Sequence, residues 1–96
     1  MGADPFVTSA SGDTAKAAFD KAVEAALYQY GHDGYTGSIA EKDSIIEIEL
    51  EEGEDPVAKA DRLIDTDDER VSDKWGPAGA FSLGDSRYLF FGWASS

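Results

Sequence analysis

The sequence predicts an α+β fold, a two-layer sandwich in which two helices pack on one face of a four- to five-stranded, mostly antiparallel sheet, in the order β-α-β-β-α-β-β. Three observations carry that expectation. Apolar residues from Ala15 to Tyr30 recur at three- and four-residue steps, Ile46, Ile48 and Leu50 alternate with Glu47 and Glu49, and Tyr88, Leu89, Phe90 and Phe91 form a run of consecutive large residues. With 96 residues and 42 % hydrophobic content the chain can fill one core and not two, so residues 1–96 are expected to form a single domain.

Pro5 to Ala10 reads as a short strand, with Phe6, Val7 and Thr8 as β-formers and Ser11-Gly12-Asp13 as the break. A helix follows, capped by Asp13 or Thr14. Its inner face carries Ala15, Ala18, Phe19, Ala22, Val23, Ala26, Leu27 and Tyr30, and Gly31 stops it. The alanines let this helix lie close to a sheet, while Lys16, Asp20, Lys21 and Glu24 face water with one favourable pair, Lys16 with Asp20. Gly31-His32-Asp33-Gly34 reads as a turn, Tyr35 to Glu41 as a strand, and Lys42-Asp43 as a hairpin tip leading into the strand Ile46 to Leu50. Asp55-Pro56 starts a second helix, because the Asp side chain accepts from free N–H groups and proline loses nothing in the first turn. Val57, Ala60, Leu63 and Ile64 form its apolar stripe, and Asp65 to Lys74 reads as a surface loop or a frayed extension. Ala80, Phe81 and Leu83, the turn Gly84-Asp85-Ser86 and the strand Arg87 to Trp93 complete the chain, the last strand being apolar enough to sit centrally with both faces buried.

The net charge of −12 is concentrated between Glu47 and Asp73, where twelve carboxylates stand against Lys59, Arg62 and Arg70, a net of −9. Such a field repels phosphate backbones and anionic lipid, so direct nucleic-acid binding and membrane binding are not expected. Cysteine is absent, which removes disulfides, thiolate metal sites and cysteine nucleophiles, and fits a reducing compartment. Met1 to Phe6 lacks the basic and apolar regions of a signal peptide, and no apolar run approaches the ~20 residues that span a bilayer. A soluble, cytoplasmic protein is the expectation. Acidity also has a bland reading: salt-adapted proteins are acidic throughout, and such a domain could use its apolar strand edge to build a homodimer.

His32, the only histidine, could join Asp33, Tyr35 and Glu41 in an acid/base or metal-binding group, but favourable interaction with the dipole at the end of the preceding helix explains it more simply. One histidine and no cysteine leave no zinc site. Asp65-Thr66-Asp67-Asp68-Glu69 suggests calcium, but an EF-hand loop begun at Asp65 meets Arg70 where glycine belongs and Gly76 where a bidentate glutamate belongs. No nucleophile elbow, phosphate loop or dinucleotide fingerprint is present, so neither an enzymatic activity nor a cofactor is expected. Trp75 and Trp93 are both expected to help complete the core of so small a domain; of the two, Trp75, in the turn Trp75-Gly76-Pro77, is the better placed for exposure beside an acidic surface, where it would serve a protein-binding patch.

Two stretches, Tyr30 to Lys42 (Tyr-Gly-His-Asp-Gly-Tyr-Thr-Gly-Ser-Ile-Ala-Glu-Lys) and Lys74-Trp75-Gly76-Pro77-Ala78-Gly79-Ala80, the latter followed by Leu89 to Ser95, resemble segments of small uncharacterised accessory proteins of actinobacterial tailed phages and prophages. The resemblance implies a non-virion protein made in the cytoplasm of the host cell, and it carries over no catalytic residue. The high acidity departs from that pattern. Together with the charge it leads to the expectation of an interaction protein that occupies a basic surface of a partner protein through Glu47, Glu49, Glu51, Glu52, Glu54, Asp65, Asp67, Asp68, Glu69 and Trp75, in its sharpest form as a nucleic-acid mimic. The alternative is a small ligand-binding or enzymatic domain built on the Gly31–Gly37 turn with His32, Tyr35 and Glu41.

Overall fold

The computed structural model describes residues 2–30 and 36–95. Its elements are β1 (Ala3–Ser11), α1 (Ala15–Tyr30), β2 (Ile45–Glu47), α2 (Pro56–Asp65), β3 (Ala78–Gly84) and β4 (Arg87–Ser95), with a one-turn 3-10 helix at Ile39–Glu41. The α+β class, with two helices and a four-stranded sheet, agrees with the sequence. The sheet is mixed and ordered β1-β4-β3-β2, with β4 antiparallel to β1 and β3, and β2 parallel to β3.

Both helices form where their caps place them. Thr14 Oγ1 accepts from the Ala17 N–H at 3.1 Å, and Ala15, Ala18, Phe19, Ala22 and Ala26 are buried against the sheet, Phe19 meeting Phe90 edge to face with ring centres 5.8 Å apart. Asp55 Oδ1 accepts from the Val57 N–H at 3.0 Å and starts α2. At its other end Asp67 takes a left-handed conformation (φ +52°), its N–H donating to the Ile64 carbonyl and that of Asp68 to the Leu63 carbonyl, a Schellman closure. Ala60, Leu63 and Ile64 are buried as the stripe predicts, but Val57 is 47 % exposed. The β3–β4 hairpin turns through Asp85 and Ser86, both at positive φ, the two-residue geometry that matches strand twist.

The layering differs from the expected single helical face. Side chains alternate along β4: Phe90 joins Ala78 and Ala80 in the core beneath α1, while Leu89 and Phe91 join Phe81 beneath α2. The helices therefore cover opposite faces. Burial explains it, because Leu89, Phe90 and Phe91 follow one another and all are buried, and two helices on one face would leave Leu89 and Phe91 in water. β4 does lie in the interior of the sheet, as its continuous apolar run predicts.

The expected strand Tyr35 to Glu41 is the second correction. Tyr35 lies outside the described residues, and from Thr36 the chain bends into the 3-10 turn instead of joining the sheet. Glu41 Oε2 accepts from the Thr36 N–H at 3.0 Å and hydroxyl at 2.9 Å, and Ser38 Oγ accepts from the Ala40 N–H at 3.2 Å, so local side chains take bonds a ladder would use, and among the described residues of this segment only the Gly37 N–H reaches β4, donating to the Ser95 carbonyl at 2.8 Å. Lys42, expected at a hairpin tip, is buried. Its Nζ donates to the carbonyls of Asp73, Lys74 and Gly76 at 3.2, 3.2 and 2.9 Å, and burial pulls its pKa below the ordinary lysine value against the opposing attraction of Asp73 and Asp43. Without a hairpin, β2 reaches β3 through α2, the connection a parallel pair requires.

Candidate functional site

The carboxylates singled out by the sequence fall into two groups at opposite ends of α2. Glu47, Glu49, Glu51 and Glu52 are exposed on β2 and the loop that leaves it, and Asp65, Asp67 and Glu69 are exposed around the C-terminal end of the helix. Ten helical residues separate them, about 15 Å at 1.5 Å each. Glu54 and Asp68 are not free charges. Glu54 accepts from Lys59 Nζ at 2.8 Å, from the Glu51 N–H at 2.8 Å and from Arg62 Nη2 at 3.5 Å, and the Lys59 bond leads the causes that lower its pKa. Asp68 takes Arg70 Nε and Nη2 at 2.9 and 3.0 Å and the Arg70 N–H at 3.0 Å, and the guanidinium first, then the backbone bond, bring its pKa down to about 2. Among the described residues none of the other seven carboxylates is in an ion pair.

β2 is an edge strand, and its geometry sets what the first group can touch. The Ile48 N–H donates to the Ala80 carbonyl at 2.9 Å and the Ala78 N–H to the Ser44 carbonyl at 3.0 Å, so even-numbered residues bond β3 while Ile45 and Glu47 turn their backbone groups outward. Glu47 lies opposite Ala80, on the α1 face of the sheet, above a shallow groove of about 470 Å³ lined by Glu47, Ile48, Glu49, Leu50, Ala80 and Ser82. Beyond it the edge is closed by Lys59, whose Nζ donates to the Glu49 carbonyl at 2.9 Å and lies 5.7 Å from the centre of the Phe81 ring. This arrangement leaves the outward backbone groups of Ile45 and Glu47 beside alternating carboxylates.

Trp75 is 60 % exposed rather than part of the core, with its backbone N–H donating to Asp73 Oδ1 at 2.8 Å and Lys74 Nζ 5.4 Å from its ring centre. It precedes β3 at the end of the sheet where β2 begins, while Glu49 to Glu52 leave from the other end, so the two are not brought together. Of the alternative ligand group, His32 and Tyr35 lie outside the described residues, and the Glu41 carboxylate is engaged by Thr36. Sequence reasoning missed three organising residues, Lys42, Lys59 and the fully buried Val71. Val71 had a signal, a lone β-branched side chain in an acidic stretch; Lys42 had none.

Among the described residues no group of three or more histidine or carboxylate side chains is arranged to hold a metal ion, and no helix is long and apolar enough to cross a membrane. Comparison of the chain with protein families, with curated proteins and with solved structures gives no match.

Proposed function

We propose that the protein is a small acidic interaction module that docks onto a basic surface or extended basic segment of a partner protein, with Glu47, Glu49, Glu51 and Glu52 as the principal contacts. Asp65, Asp67 and Glu69 form a second contact one helix length away. The observation that supports this reading is four exposed carboxylates, unpaired with any described cation, beside an open strand edge and its groove. Complementary charge there speeds encounter and sets register. In its narrowest form the carboxylates stand in for nucleic-acid phosphates, and following the resemblance to phage accessory proteins the partner is a protein of the host-cell cytoplasm.

Charge reversal at Glu47, Glu49, Glu51 and Glu52 to Lys tests it, with binding of an extended lysine-rich peptide followed by fluorescence anisotropy. The variant is expected to lose the peptide, whereas the same charge change placed at Asp4, Glu24, Asp43 and Asp85 costs only what the altered net charge costs. Glu54 and Asp68 stay untouched so that the folding ion pairs survive. Equal losses in the two variants would remove the proposal.

A further inference from the structure

β2 presents different chemistry on its two faces, and the difference specifies more of a docked segment than its charge. Glu47 lies opposite Ala80 on the α1 face, and Glu49, two residues on, lines the same groove with Ala80 and Ser82. Ile46, Ile48 and Leu50 belong to the other face, where they join Phe81 and Phe91. Ile48 is buried, whereas Ile46 and Leu50 are half-buried, because β2 is the last strand of the sheet and the apolar layer ends with it. Along the edge itself Ile45 and Glu47 turn their backbone groups outward. The next outward carbonyl, that of Glu49, is taken by Lys59 Nζ at 2.9 Å, and the same ammonium holds Glu54 at 2.8 Å, so the open stretch is bounded there.

Resting on the docking reading above, we propose that the partner segment adds to β2 as a fifth strand and alternates basic with apolar residues, the basic side chains lying beside Glu47 and Glu49 and the apolar ones against Ile46 and Leu50. The alternation follows from the two-residue period of a strand, which sends successive side chains to opposite faces. Pairs of opposite charge then form on one face, the apolar layer of Phe81 and Phe91 is extended on the other, and the backbone bonds at Ile45 and Glu47 fix the register. A segment whose basic residues are consecutive places some of them over Ile46 and Leu50, where a charge loses water without gaining a partner. Charge also decides what covers this edge. Carboxylates on an edge strand keep like-charged strands away, so in a chain of net charge −12 a second copy is repelled here and a basic segment is attracted.

Two peptides of identical lysine and valine content, one strictly alternating and one with its lysines consecutive, test this by fluorescence anisotropy with the intact chain. The alternating peptide is expected to bind about tenfold more tightly or better, since it alone satisfies both faces. Backbone N-methylation supplies a second measurement that leaves the protein unaltered. Only alternate N–H groups of an added strand face β2, whichever way the strand runs, so methylating the lysines and methylating the valines of the alternating peptide give affinities that differ by about tenfold or more. Equal affinities for the two sequences, or for the two methylated forms, overturn the added strand even where every peptide binds and is released by salt, the result that charge-driven docking alone predicts. Failure of all these basic peptides to bind removes the docking reading and the strand together.

Discussion

Asp68 illustrates how single residues thin the acidic surface while they build the fold. Its carboxylate is held at about 2 by Arg70, below the ordinary aspartate value of about 3.9, so it favours the folded state above that value, and the contribution disappears as pH falls toward 2. Thermal melts of the chain and of Asp68→Asn are therefore expected to differ at neutral pH, the gap closing below about pH 4. A gap that stays constant down to the acid limit would contradict the pairing. What sequence revealed at this scale was local. Asp55 and Thr14 as caps act on backbone two or three residues away, within reach of any reading of neighbours. Lys42 acts on carbonyls 31, 32 and 34 residues away, and nothing near it in the chain announces that. Glu54 and Asp68 looked like free charges for a related reason: their partners were visible, but their geometry was not.

Elements whose information is periodic or set by a tight turn were legible, namely α1, α2 and the β3–β4 hairpin. Tyr35 to Glu41 misled because alternation of a few small residues is weak information, and the Glu41 to Thr36 bonds outweigh it. Packing between β3 and β4 depends on a feature that periodicity cannot show. Gly79 pairs with Phe91, whose ring lies across it so closely that a Cβ on Gly79 would come within 2.5 Å of the ring. Gly79→Ala is expected to destabilise the fold by about 1–3 kcal/mol in a denaturant titration, and to cost less in a Phe91→Leu background than in the wild type. Equal stability of Gly79→Ala and wild type would show that the ring does not occupy that space.

For the molecule as a whole, composition announced an acidic protein and periodicity an α+β one, but neither the layering nor the division of charge could be read from them. The run Leu89, Phe90 and Phe91 held the answer to the first, since a strand buried on both faces requires a helix on each. The second depends on topology: the order β1-β4-β3-β2 places β1, with Asp4 as its one charge, and the acidic β2 at opposite edges of one sheet, and α2 carries Asp65, Asp67 and Glu69 away from β2. Docking of a basic segment at the acidic edge is the central proposal, and a magnetic-resonance titration of the isotope-labelled chain with an extended lysine-rich peptide tests it most directly. The account predicts that shifted amides concentrate between Ile45 and Glu52 and that the shifts vanish at high salt. Shifts spread equally over Asp4, Asp20, Asp43 and Asp85 would contradict it.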